Sequence, residues 1–244
     1  MILLIDAGNT RVKWRLAHGS VIQAEGVSVL DSPQPFSGLP VLEREIHSVG
    51  VSSVGSEAGQ RGLERAIRQI TPAPVSFYGS EAQRDGLLNS YRDVSKMGSD
   101  RWYAMLACWQ SVRAGFALVD AGSAVTVDYV GEDGCHLGGF ILPGLQMMRR
   151  SLKLDAARIG FEFDDQLDTR PGRSTGECAN HGLAWLTQGI IRQIHSDVAG
   201  SRLGRIFLTG GDAHRFHKLG LKADIREGLV LDGVQAVHSL ACTQ

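Results

Sequence analysis

Cysteine is scarce in this chain: Cys108, Cys135, Cys178 and Cys242 are scattered without a CxxC pair. That spacing excludes a disulfide framework and a structural zinc site as organising devices, and it predicts a reducing, cytoplasmic setting. Net charge is nearly absent, 25 basic against 26 acidic residues. With no basic stripe and no long block of one sign, neither a nucleic-acid partner nor a charged tail is indicated. Long apolar runs are missing too. The opening "MILLI" reaches Asp6 after five residues, too short for a signal peptide or a membrane span. Only seven prolines occur, three of them (Pro33, Pro35, Pro40) marking one loop.

Glycine is abundant, 30 of 244 residues, in a chain that is 43% hydrophobic and long enough for one large domain or two small ones. Its use is patterned. "LIDAGNTRVKW" (4–14) is an apolar strand ending in Asp-Ala-Gly, a polar turn and a second strand. "LVDAGSAVTVDYV" (118–130) repeats it 114 residues later. After the first come strand-like segments at 46–55 and 74–79 and helical spacing at 57–70 and 99–113, with Ser99 placed as an N-cap. After the second come a strand at 135–142 behind the "GEDG" hairpin signal and a helix from Pro143. A long helix around 178–196, the strand "RIFLTGG" (205–211) and a helix from about Arg226 complete it. Three antiparallel strands followed by alternating helices and strands, twice over, predict a duplicated α/β fold with a cleft between halves 1–115 and 116–244. No linker-like composition separates them.

A carboxylate at a strand end followed by a glycine turn has a physical use. Gly8 and Gly122 let backbone approach a ligand, and turn amides can hold phosphate oxygens. Asp6 and Asp120 would meet such phosphates only through a cation or water, because like charges repel. Asn9, Thr10 and Lys13 add polar and cationic groups to the first turn, Ser123 and Thr126 hydroxyls to the second. "LTGGD" (208–212) offers a third turn, where Gly210 and Gly211 could lie against a nucleoside. A lone D-x-G is usually just a hairpin; the pair, one opening each half, is the signal.

Four ordered stretches, "DAGNTRVKW" (6–14), "GSDRW" (98–102), "DAGSAVTVD" (120–128) and "GGFILPG" (138–144), resemble type III pantothenate kinases. These belong to the acetate and sugar kinase, Hsp70 and actin superfamily, whose core is a duplicated ribonuclease-H-like fold. The resemblance implies ATP-dependent phosphorylation of pantothenate to 4′-phosphopantothenate, the first step of coenzyme A synthesis, with Mg²⁺ and a monovalent cation (K⁺ or NH₄⁺), in a homodimer. It assigns ATP contacts to Asp6, Ala7, Gly8 and Asn9, to Thr10, Arg11, Val12 and Lys13, and to Ser123, Gly210 and Gly211. Asp120 would hold the monovalent cation. Asp100 becomes the proton acceptor, and Tyr91, Gly98, Ser99, Asp100, Arg101 and Thr175 the pantothenate contacts. Three departures from the family pattern, Ser123 for Thr, Val94 for Pro and Met97 for Leu, remove no reactive group. A non-catalytic nucleotide-binding regulator and a small sugar kinase are the alternatives; the retention of Asp100, Lys13 and both hairpin acids argues against the first. "HRFH" (214–217) reads as polar side chains facing water, and Cys108 as a small apolar side chain packed inside. "MMRRSL" (147–152) reads as an interface or as a core-and-rim helix.

Overall fold

The computed structural model describes residues 1–30, 32–40, 45–155 and 162–241; Cys242 lies outside them. The chain forms two compact units, Met1–Val112 with Gly228–Gln244, and Arg113–Glu227.

In the first unit, β1 (Ile2–Ala7), β2 (Arg11–His18) and β3 (Val21–Val29) form an antiparallel meander, and β4 (Ser48–Ser53) and β5 (Val75–Tyr78) extend it in parallel on the β1 side. The sheet order is β3-β2-β1-β4-β5. β1 and β4 are buried nearly throughout, as a central strand covered on both faces must be. β3 alternates exposed and half-buried residues at the edge. Between β4 and β5 runs α1 (Glu57–Arg68), capped by the Ser56 hydroxyl on the Gly59 amide and burying Leu63 and Ile67. A short hairpin of β6 (Gln83–Arg84) and β7 (Leu87–Leu88) turns through Asp85 and Gly86, both at positive φ. A single 3-10 turn (Val94–Lys96) leads into α2 (Ser99–Val112), which is buried almost all round.

The second unit repeats the order. β8 (Phe116–Ala121), β9 (Ala124–Val130) and β10 (His136–Pro143) form the meander, and β11 (Arg205–Thr209) and β12 (Asp224–Ile225) add in parallel, giving β10-β9-β8-β11-β12. α3 (Leu145–Asp155) and α4 (Thr175–Gly200) lie between β10 and β11, and α5 (Ala213–Lys218) between β11 and β12. Leu3, Ile5, Val49 and Val51 anchor the core of the first unit, and Val119, Val127 and Leu208 with Ile191 of α4 that of the second.

Several details depart from expectation. Pro143 ends β10 rather than opening a helix, which an edge strand tolerates because the absent N–H needs no ladder partner. Ser99 is the first residue of α2, not its cap; the Gly98 carbonyl accepts the Trp102 amide, and the Ser99 hydroxyl is taken up by Ser52. β11 stops at Thr209, because Gly210 turns away at φ +93.

The C-terminal helix α6 (Leu229–Ala241), expected in the second half, groups with the first unit. It packs on α2, β1 and β4. Gly233 lies directly on the Tyr103 backbone, where any Cβ would collide. The buried Arg15 guanidinium of β2 donates to Asp232 and Gln235 of α6 and to Glu25 of β3.

Candidate active site

The first hairpin closes where the Gly8 amide donates to the Arg11 carbonyl at 3.0 Å. That amide is therefore engaged within the turn, and the exposed tip consists of Asn9, Thr10 and Arg11. Ala7 and Val12 are buried beneath it, so they shape the turn from below. Asp6 is 8% exposed and is the register partner of Lys13 across the hairpin, so the two side chains leave the sheet on the same face.

The same unit assembles the "GSDRW" residues at the start of α2. Asp100 lies in the first turn, and one of its carboxylate oxygens accepts the Arg101 amide at 2.8 Å. That oxygen occupies the space a Cβ at Gly98 would need, so glycine there allows the carboxylate its position. Arg101 is 6% exposed; its guanidinium donates to the Tyr91 hydroxyl and lies 5.5 Å from the centre of that ring. Tyr91 is fixed by Asn89, whose side-chain oxygen accepts the Tyr91 amide at 3.0 Å while its amide nitrogen donates to the Glu81 carbonyl at 3.1 Å. The β6–β7 hairpin is tied to α2 by Trp109 Nε1 on the Asp85 carbonyl and Gln110 on the Asp85 carboxylate. Tyr91, Gly98, Ser99, Asp100 and Arg101 thus form one cluster.

In the second unit the Gly122 amide closes its turn on the Ala124 carbonyl at 3.0 Å, leaving Ser123 exposed at the tip. Two further glycines press on this turn. A Cβ on Gly144 would stand 2.6 Å from the Gly122 carbonyl oxygen, and one on Gly210 would stand 2.5 Å from the Ala121 carbonyl and closer still to the Asp120 carboxylate. The Asp212 amide donates to the Ala121 carbonyl at 2.8 Å. Asp120, Ser123, Gly144, Gly210 and Gly211 are thereby gathered at one end of the sheet. Thr175 is exposed on another element, as the first residue of α4 after its Ser174 cap.

The donors available for ions are oxygens. Among the described residues no group of three or more His, Cys, Asp or Glu side chains is assembled for a metal. The Asp120 carboxylate and the Ala121 carbonyl, which both border Gly210, would suit a hard cation held with ligand or water oxygens rather than a dedicated protein cage.

The type III pantothenate kinase family model matches residues 2–197. This chain belongs to that family. A type III pantothenate kinase of Marinobacter nauticus is 57% identical over 239 residues, covering 98% of both chains. One from Chromohalobacter salexigens is 36% identical over 221 residues, covering 87% of this chain and 78% of its own. Among solved structures, a Baf family protein from Campylobacter jejuni superimposes with a TM-score of 0.63 at 19% identity, covering 99% of this chain and 100% of its own. The fold is a duplicated actin-like α/β fold. No helix among the described residues is long and apolar enough to cross a membrane.

Sequence reasoning missed Asn89 and Ser52. Asn89 carried a weak signal, an Asn two residues before the aromatic, the spacing at which an Asx side chain accepts a backbone amide. Ser52 carried another, a hydroxyl in a strand that reads as buried.

Proposed function

We propose that the chain transfers the γ-phosphoryl group of ATP to pantothenate, giving 4′-phosphopantothenate. The observation that carries this reading is the Asp100–Arg101–Tyr91 cluster at the start of α2, in a chain of the type III pantothenate kinase family. Arg101, backed by the Tyr91 ring, orients the substrate through its carboxylate or amide oxygens. Asp100 accepts the proton of the pantothenate hydroxyl as its oxygen bonds to the γ-phosphorus and ADP departs. The exposed turn residues Asn9, Thr10 and Ser123 contact phosphate oxygens, Lys13 lends positive charge, and Gly210 and Gly211 leave room for the nucleoside. Thr175 adds a further pantothenate contact. Mg²⁺ would supply charge neutralisation for the phosphates when bound, and Asp120 would hold a monovalent cation. The second-unit apolar side chains Phe140, Ile141 and Trp185, each more than half exposed, support a homodimer. A mass of 26.3 kDa in solution would rule that out.

The test is a substrate panel of pantothenate, glucose, glycerol and acetate with ATP and Mg²⁺, in K⁺ or Na⁺. Pantothenate is expected to turn over, faster in K⁺, with Asp120→Ala abolishing the K⁺ advantage. Turnover of another member of the panel in place of pantothenate would sink the reading.

A further inference from the structure

Ser52 ends the buried part of β4, and nothing in the proposed chemistry uses it. Its surroundings are specific. In the parallel β1–β4 pairing Ser52 is the register partner of Asp6, and Ser53 that of Ala7. The next residue, Val54, donates its amide to the Ala7 carbonyl at 3.3 Å, so the end of β4 is fastened to the residue just before the Gly8 turn. On its other side the same segment meets α2. The Ser52 hydroxyl donates to the Ser99 hydroxyl at 2.8 Å, with Ser52 wholly buried and Ser99 4% exposed. A Cβ at Gly98 would lie in ordinary contact with the Val54 side chain. The segment "SSV" (52–54) therefore meets the first hairpin through its backbone, and the start of α2 through the Ser52 hydroxyl with the Val54 side chain beside Gly98.

We propose that Ser52 is a positioning residue for phosphoryl transfer: its hydrogen bond to Ser99 fixes the first turn of α2, and with it the Asp100 carboxylate, against the β1 strand that carries Asp6. The proposal rests on the kinase reading above. A hydroxyl pair suits this task. A buried hydroxyl without a partner is costly, so each serine holds the other in one place, where two apolar side chains could slide. The reaction needs hydroxyl, base and γ-phosphorus aligned together, and small misplacement of one element is expensive in rate while leaving the binding contacts of each substrate in place.

The experiment measures kcat and both KM values, alongside thermal unfolding, for the wild type, Ser52→Ala, Ser52→Thr, Ser99→Ala and the double alanine variant. Ser52→Ala is expected to lose roughly ten- to a hundredfold in kcat, with both KM values within about twofold. Ser52→Thr, which keeps the hydroxyl, should recover much of that loss, and the double variant should be little worse than either single one, because both remove one bond. An unchanged kcat in Ser52→Ala would overturn the proposal. So would a loss of kcat that tracks a fall in unfolding temperature across all the variants, which is the signature of a merely structural serine. If the wild type does not phosphorylate pantothenate, the kinase reading falls and takes this proposal with it; a competent wild type beside an indifferent Ser52→Ala removes this proposal alone.

Discussion

Asp6 faces Lys13 across the first hairpin, whereas Asp120 faces Thr126 across the second. Both acids are next to last in the first strand of the same sheet order, and both stand two residues before a glycine whose amide closes the turn. The surroundings then diverge. Around Gly8 there is space: a Cβ there would touch only the Arg11 carbonyl, at 3.5 Å. The second turn is pressed by other backbone instead: a Cβ on Gly144 would stand 2.6 Å from the Gly122 carbonyl oxygen, and one on Gly210 would stand 2.5 Å from the Ala121 carbonyl. The first turn is an open, cationic tip and the second a hemmed-in one with a hydroxyl. Duplication supplied two copies of a turn able to approach an anion, and the segments that follow each copy decided what it became. In the first unit the follower is α2 with Asp100; in the second it is a pair of glycine turns that crowd the acid.

The largest expected effect tests whether the chemistry belongs to one copy. Asp100→Asn keeps size and most hydrogen bonding but cannot accept a proton, and turnover should fall by about 10²–10⁴-fold. Pantothenate binding should change far less, since Arg101 and Tyr91 remain paired. A matching loss in binding would make Asp100 an orienting group, which a loose transition state with late proton removal allows. A loss below about threefold, well short of general-base magnitudes, would remove it from the chemistry.

A smaller effect sharpens the contrast between the turns. Gly210→Ala must adopt φ +93 and push its methyl against the Ala121 backbone and the Asp120 carboxylate, so a loss of about 1–3 kcal/mol in stability is expected from denaturant unfolding. Gly8→Ala meets no such barrier and should leave stability within about 1 kcal/mol of wild type. Its methyl would nevertheless project at the tip where phosphate is to approach, so the KM for ATP should rise. Equal destabilisation by the two substitutions would erase the distinction between an open turn and a crowded one.

The repeat itself was legible because a strand-turn-strand ending in Asp-Ala-Gly is a local pattern, and its recurrence at 114 residues needs no tertiary knowledge. The existence of α1, α2 and α4 was legible in the same local way, although α4 runs past the expected 178–196 at both ends, over Thr175–Gly200. What escaped was non-local or very short. β6, β7 and β12 have two residues each, too few to show a period, and α5 has six. The attachment of α6 to the first unit depends on Arg15 reaching Asp232, 217 residues away, and on Gly233 meeting Tyr103. Neither is marked by anything local. The cluster residues Asp100 and Arg101 were found through the family pattern, because "SDR" alone reads as well as a capping acid beside a surface arginine. The hydroxyl pair behind them joins positions 52 and 99, which no spacing rule connects.

The smallest expected effect compares the one histidine that each unit buries to 2% exposure. His136 lies against the Asp128 carboxylate at 2.9 Å, bridging β9 and β10. His238 of α6 lies between the hydroxyls of Tyr78 and Ser48, each at 2.9 Å, and so joins the last helix to β4 and β5. Burial lowers its pKa from the ordinary value of 6.5, since a charged ring would have to leave water. The sign follows from proton counting. Below about pH 6.5 the unfolded chain protonates this ring while the folded one does not. The unfolded state then binds more protons, and stability falls as the pH drops further. The attachment of α6 should therefore loosen in mild acid. Unfolding temperature, followed from pH 8 to pH 5, should decline below about 6.5 in the wild type and decline less steeply in His238→Gln. Glutamine keeps a hydrogen-bonding group but does not titrate, so its overall stability will be lower while its pH slope is flatter. A slope identical to that of the wild type would assign the acid sensitivity to other groups and leave His238 as a neutral strut.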